Sequence, residues 1–207
     1  MRTGSRAAAA AFLAAALLLA AGCARQEPGT RAARQVSERY LRALVRKDVG
    51  EVKRLSTVVV SMTSIVGARA QSVGPPERTR LGALDSLMAA GEVERRRADS
   101  LWSRAGEAEA DSLFQLVRRI NRRQVMVRCA QRAAQASLPE SSLTTAATIE
   151  MRRVITRVRY AGERVGPKPV DRELVLRMLR AGSGDWIVFS FFLPADDAWP
   201  WRPPPSR

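Results

Sequence analysis

Acid–base chemistry near neutral pH usually rests on histidine, and this chain of 207 residues has none. That removes His-based nucleophile activation and His-ligated zinc. The side chains left that could move a proton are Tyr40, Tyr160 and Glu150. Asp48 is better used as a helix cap, because Glu51 follows it three residues on. Glu150 alternates with Ile149 and Met151, so if those two enter a core, Glu150 faces solvent. Motif-free candidates of this kind are more often core or surface residues than a site. No phosphate-loop or dinucleotide glycine pattern is present, and GSGD at 182–185 reads as a turn. The two cysteines, Cys23 and Cys129, are too few for a thiolate metal site. No catalytic residue, metal or cofactor is assigned.

Cys23 stands where a different chemistry operates. Arg2 and Arg6 open the chain, and no acid occurs before Glu27. Residues Ala7–Ala21 are unbroken Ala, Leu and Phe. A membrane-spanning helix needs about 20 apolar residues, so this run is short for a span and fits a signal h-region. Small residues and then a cysteine follow, in LAAGC, residues 19–23. This resembles the lipobox of bacterial lipoproteins, with Ala20 at a position where Leu is commoner. The resemblance implies removal of residues 1–22 as a signal peptide and acylation of Cys23. It also implies a chain tethered to the bacterial cell envelope, and Ala24 after the cysteine implies the outer membrane, facing the periplasm. A plain signal peptide with an incidental cysteine, or an uncleaved anchor, is the competing reading. With Cys23 acylated, Cys129 has no internal partner and reads as a quiet, partly buried thiol.

The third group is cationic. The chain holds 35 Lys and Arg against 20 Asp and Glu, a net charge of +15, and its only lysines are Lys47, Lys53 and Lys168. Between Ser112 and Pro139 lie Arg118, Arg119, Arg122, Arg123, Arg128 and Arg132 and no acid. On a helix they fall opposite Leu113, Leu116, Val117, Ile120 and Val127. Such a face suits anionic envelope components, lipid head groups among them, or an acidic protein. A merely solvated arginine face is the plainer alternative. Export would carry the chain away from nucleic acid, so the partners expected are a membrane, reached through the lipid anchor, and these anionic surfaces.

The elements that must position these groups follow from periodicity. Residues 23–30 read as a tether. Residues 31–193 read as a single α+β domain, helical over 31–136 and sheet over 145–193, with a Pro/Trp-rich tail over 194–207. Val36, Tyr40, Leu41, Leu44 and Val45 recur at helical spacing to about Lys47, and a second short helix starts at Asp48. Residues 57–66 could be a strand or the end of that helix. SVGPPE, 72–77, reads as a loop, with Pro76 placed to start a long helical stretch over 77–136. Its apolar registers break between Ala108 and Leu113, so a turn near Gly106 gives an antiparallel hairpin; a continuous bent helix is the alternative. After residue 145 the period becomes two, with a phase slip at Arg152–Arg153 that predicts a bulge. AGSGD, 181–185, predicts a hairpin turn into WIVFSFFL, a strand expected to be central or covered on both faces. In the tail, Trp199 and Trp201 fit docking into a groove, or a tail folding back on its own domain.

Helices first, then an antiparallel sheet closing on a Gly-Asp-Trp turn and an apolar strand, resembles the nuclear transport factor two-like superfamily. The likeness rests on VSERYLRALVRKDVGEVKRL, residues 36–55, and on GDWIVFSFFL, residues 184–193. With the hairpin read from periodicity, which departs from the compact family pattern, the expected fold is α+β: N-terminal helices and a long helical hairpin packed on a small curved antiparallel sheet formed by the C-terminal half. The resemblance implies either a non-catalytic binding or accessory role, or a pocket enzyme of the isomerase or dehydratase type. Fold alone does not choose between these.

Overall fold

The structure, a computed structural model, describes residues 27–58, 60–104, 106–138, 144–163 and 165–194. Helix α1, Pro28–Arg46, buries Ala33, Tyr40, Leu41 and Leu44 along one stripe. It begins inside the expected tether, whose residues 28–30 are helical. It ends where Lys47 turns left-handed, at φ 60°. The Lys47 ammonium is tied down by the carbonyls of Met62 and Ile65. Asp48 then caps α2, Val49–Leu55, accepting from the Glu51 amide at 3.0 Å.

Five strands form one antiparallel sheet in the order β1-β3-β4-β5. These are β1 (Ile65–Val73), β3 (Thr148–Gly162), β4 (Gly166–Ala181) and β5 (Ile187–Phe192). The short β2, Glu77–Arg80, pairs with β3 beyond the end of β1, so both strands share one edge of β3. The domain is α+β. To the three C-terminal strands expected, the structure adds two from before the helical hairpin. Residues 57–66 are mostly neither strand nor helix. The expected loop at 72–77 shrinks to the Gly-Pro-Pro between β1 and β2, and the long helical stretch starts at Leu81 rather than near Pro76. Residues 77–80 are drawn into the sheet because β3 offers them an open row of backbone groups.

The helical hairpin is present. Helix α3, Leu81–Trp102, and α4, Glu107–Ser137, turn at Gly106. At their seam the Gln131 amide donates to Asp85 at 2.7 Å and Arg123 meets Glu94 at 3.4 Å. Gly91 leaves room for Gln124, whose Cγ would lie 3.1 Å from an added Cβ.

The sheet is covered on both faces, at different places. Helix α1 packs over Val154, Val158, Leu174, Leu176, Met178, Val188 and Phe191. The hairpin packs over Ile149, Met151, Leu179, Ala181, Ile187 and Phe189 on the other face. This explains the phase slip without a bulge. Pairing of β3 with β4 runs unbroken from Ile149 to Tyr160. The apolar phase changes at Arg152–Arg153 because the covering helix changes sides. A real irregularity lies in β5, where Met178 faces Val188 but Arg177 faces Ser190, leaving Phe189 as the extra residue.

The β4–β5 hairpin forms through AGSGD and is locked to the end of α4. The Ser137 hydroxyl accepts from Ala181 N at 2.9 Å and donates to Asp185 O at 2.6 Å. Gly184 is required there: an added Cβ would sit 2.0 Å from the Ser137 carbonyl oxygen. Strand β5 is covered on both faces but is an edge strand, not a central one. Its outer side is met by the chain after α2, where Thr57 N donates to Val188 O at 2.9 Å. Among the described residues no helix is long and apolar enough to cross a membrane.

Candidate functional site

Glu150 is buried, which corrects the expectation that it faces solvent. Its face of β3 lies against the first turn of α1. Gly29 stands there, and an added Cβ would approach Glu150 Oε1 to 3.0 Å and Arg152 Nη2 to 3.1 Å. Arg152 is 1% exposed. It spends its N–H donors on Glu150 (3.0 and 2.8 Å), the Thr30 hydroxyl (2.7 Å), Glu27 (2.9 Å) and the Gly74 carbonyl (3.4 Å). Arg180 adds 3.0 Å to the other Glu150 oxygen and stacks over Trp186, and Arg78 approaches Glu27 at 3.2 Å. Burial alone would raise the Glu150 pKa, but hydrogen bonds from Arg180 and Arg152 outweigh it and hold the carboxyl below its ordinary range. A carboxylate kept charged by two guanidiniums is a poor proton acceptor and a good structural tie.

The other acid–base candidates do not join it. Tyr40 is fully buried, edge-on to Phe191 at 6.0 Å; burial pushes its hydroxyl up to about 12, offset only in part by Ser56. Tyr160, near the far end of β3, is half-buried and its hydroxyl is raised by burial. Asp48 is occupied as a cap. None of the four lines either of the two grooves described below. Among the described residues no three His, Cys, Asp or Glu come together as a metal-binding group. Cys129 is half-buried, and burial raises its thiol pKa, so it is a weak nucleophile.

The six arginines of α4 divide. Arg123 and Arg128 lean toward α3, at 3.4 Å from Glu94 and 3.8 Å from Glu92. Arg132 is exposed near Cys129 and lowers that thiol's pKa a little against burial. Arg118 and Arg119 are exposed and have no ion-pair partner among the described residues. Arg118 and Arg122 flank a groove of about 500 Å³ floored by Phe114, Val117, Val125, Met126 and Phe192. Phe114 is 54% exposed, Val125 52% and Phe192 38%. The sequence shows these arginines but sets Val117 opposite them; in the fold Val117 floors their groove with residues the periodicity does not pick out. Phe114 and Val125 sit on the arginine side of the helix, and Phe192 arrives from the end of β5.

A second, polar groove of about 400 Å³ lies on the sheet, lined by Gly67, Arg69, Arg157, Arg159 and Asp171 among others. It was not anticipated, because it gathers residues from three strands. Cys23 and the Trp199–Trp201 tail lie outside the described residues.

No family model, no curated protein and no solved structure matches this chain.

Proposed function

We propose that this chain is a bacterial lipoprotein held to the envelope by acyl chains on Cys23, with a non-catalytic domain that docks on anionic bilayer surfaces through the first half of α4. The observation that carries the docking is the groove in which Phe114, Val125 and Phe192 are exposed between Arg118 and Arg122. An apolar strip within a basic face is what a peripheral membrane site needs: aromatic and aliphatic groups enter the acyl boundary while guanidiniums meet phosphates. Each basic residue near an anionic surface contributes about 1 kcal/mol, which is weak alone. Acyl chains at about 0.8 kcal/mol per buried methylene supply the second signal and keep the domain close. The outer membrane, facing the periplasm, is the location this reading takes, and the nuclear transport factor two-like architecture is its proposed frame, supported by the 19-residue α1 and the short α2 leading into an antiparallel sheet. A pocket enzyme is the weaker reading, because the buried carboxyl of Glu150 is held charged by arginines and, among the described residues, neither groove is lined by an acid–base candidate.

Two measurements test the two halves. A clickable fatty acid fed to cells should label the wild-type chain and not Cys23→Ala; equal labelling ends the lipoprotein reading. The chain without residues 1–23 keeps every described element. It should sediment with anionic vesicles and not neutral ones, less so as salt rises, and lose about tenfold in affinity when Arg118 and Arg122 become Gln and Phe114 becomes Ser. Unchanged vesicle binding by that variant, or binding to an acidic protein but to no vesicle, overturns the membrane reading.

A further inference from the structure

Strand alternation places Arg157 and Arg159 on the face of β3 that carries Ile149 and Met151. The helical hairpin covers that face at one end only. Toward the other end the face is open, and what stands on it is charged. Arg69 of β1 is directly opposite Arg157 of β3. Like charges facing each other across two strands repel and weaken the pairing. Next along, Gly67 faces Arg159 and contributes no side chain, so the floor there is backbone.

One acid answers these arginines within the groove. Asp171 of β4 accepts from Arg159 Nε at 2.8 Å and pairs with Arg157 Nη2 at 3.1 Å. Its carboxyl is held below the ordinary range, chiefly by the Arg159 hydrogen bond. Glu173 stands opposite Arg157 in the β3–β4 pairing but does not line the groove. Arg69 is exposed and has no acidic partner among the described residues. Three guanidiniums against one carboxylate leave an excess of two positive charges around a space of about 400 Å³.

From this we infer that the groove of Arg69, Arg157 and Arg159 is a binding site for a phosphate-bearing dianion, seated between Arg69 and Arg157 beside Asp171. Guanidinium forks match phosphate oxygens in pairs, and a dianion cancels the excess charge. The repulsion between Arg69 and Arg157 turns into shared attraction once an anion lies between them. The site does not depend on the α4 groove: its residues come from the sheet, and the two are tested by separate variants. The phosphate could be free or the head group of a lipid, and the chemistry of recognition is the same.

The test uses the full-length chain in micelles of a non-ionic detergent at low ionic strength, titrated calorimetrically with inorganic phosphate and, separately, with phosphatidate carried in micelles of the same detergent. Phosphate binding supports a free ligand. Binding of micellar phosphatidate with none of phosphate supports a head group. In either case Arg69→Gln and Arg157→Gln each weaken it by about tenfold or more, the scale of one charged hydrogen bond. Asp171→Asn tightens it severalfold by removing the like charge. The α4 variant R118Q/R122Q leaves phosphate binding unchanged. Arg69→Gln should also raise the melting temperature of the anion-free chain by about 1–2 °C, since it relieves the cross-strand repulsion, which separates loss of the site from loss of the fold. Binding that is unaltered in Arg69→Gln, or no binding of either probe by the wild type, overturns the inference.

Discussion

The sheet arginines that lie against the first turn of α1, and Arg118 and Arg119 on α4, are the same residue type in opposite circumstances. Arg152, with Arg78 and Arg180, meets Glu27 and Glu150, and its guanidinium is 1% exposed. Arg118 and Arg119 meet no acid among the described residues and stand in solvent. The difference lies in what the fold brings opposite them. Glu27 is 125 residues from Arg152 in the chain, whereas along α4 the acids Glu92 and Glu94 of α3 engage Arg128 and Arg123 and leave Arg118 and Arg119 without an acid among the described residues. An arginine matched from several elements ties the fold together; an arginine left unmatched is available to something outside it.

The strongest way to break this comparison is to remove one partner from the buried cluster. Arg152→Ala should cost about 3–5 kcal/mol in chemical denaturation, because it strands Glu150 in the interior without its main partner. Arg118→Ala, measured beside it, should stay within about 0.5 kcal/mol of wild type. Comparable losses in the two variants would end the distinction. A parallel contrast exists for neighbouring rings. Phe191, under α1, should cost about 3 kcal/mol or more when replaced by Ala. Phe192, exposed in the α4 groove, should cost clearly less while impairing vesicle binding.

A smaller effect sharpens the same point through pH. The folded carboxyl of Glu150 is depressed, so the stability it supplies is complete above its ordinary pKa of 4.5 and is lost as the pH falls toward and through the lowered folded value. Thermal melts from neutral to acid pH should show wild type losing stability below that point. Glu150→Gln, less stable at neutral pH, should show a shallower acid slope. Glu51 and Asp171 are depressed as well and titrate in the same direction, so the difference between wild type and Glu150→Gln is the quantity to read.

Several elements could be read from the sequence because their causes are local. Asp48 and Glu51 lie three residues apart, and the cap forms between them. Leu84, Leu87 and Gly91 on one helix and Ile120, Gln124 and Val127 on the other repeat at helical spacing, and they form the seam of the hairpin around Gly106. The AGSGD turn joins two period-two segments that pair as antiparallel neighbours. What misled was charge and phase. Glu77–Arg80 is ERTR, polar at every position, and it is a strand only because β3 leaves an edge open beside it. The step at Arg152–Arg153 looked like a bulge in one strand, when it marks the place where burial passes from one face of the sheet to the other.

By itself the sequence determined the absence of histidine chemistry, the cationic balance, the lipobox-like run ending at Cys23, and the succession of N-terminal helices, helical hairpin and C-terminal strands, without β1 and β2. Those follow from composition and from periodicities a few residues long. Only the tertiary structure decided that Glu150 is buried and paired, that Phe192 completes an apolar groove beside Arg118, and that Arg69 stands opposite Arg157. Arg152 is only two residues from Glu150, but the burial of that pair under α1, its tie to Arg180 and the other two juxtapositions join side chains 30 or more residues apart, through strand register and helix placement, and no local pattern carries that information.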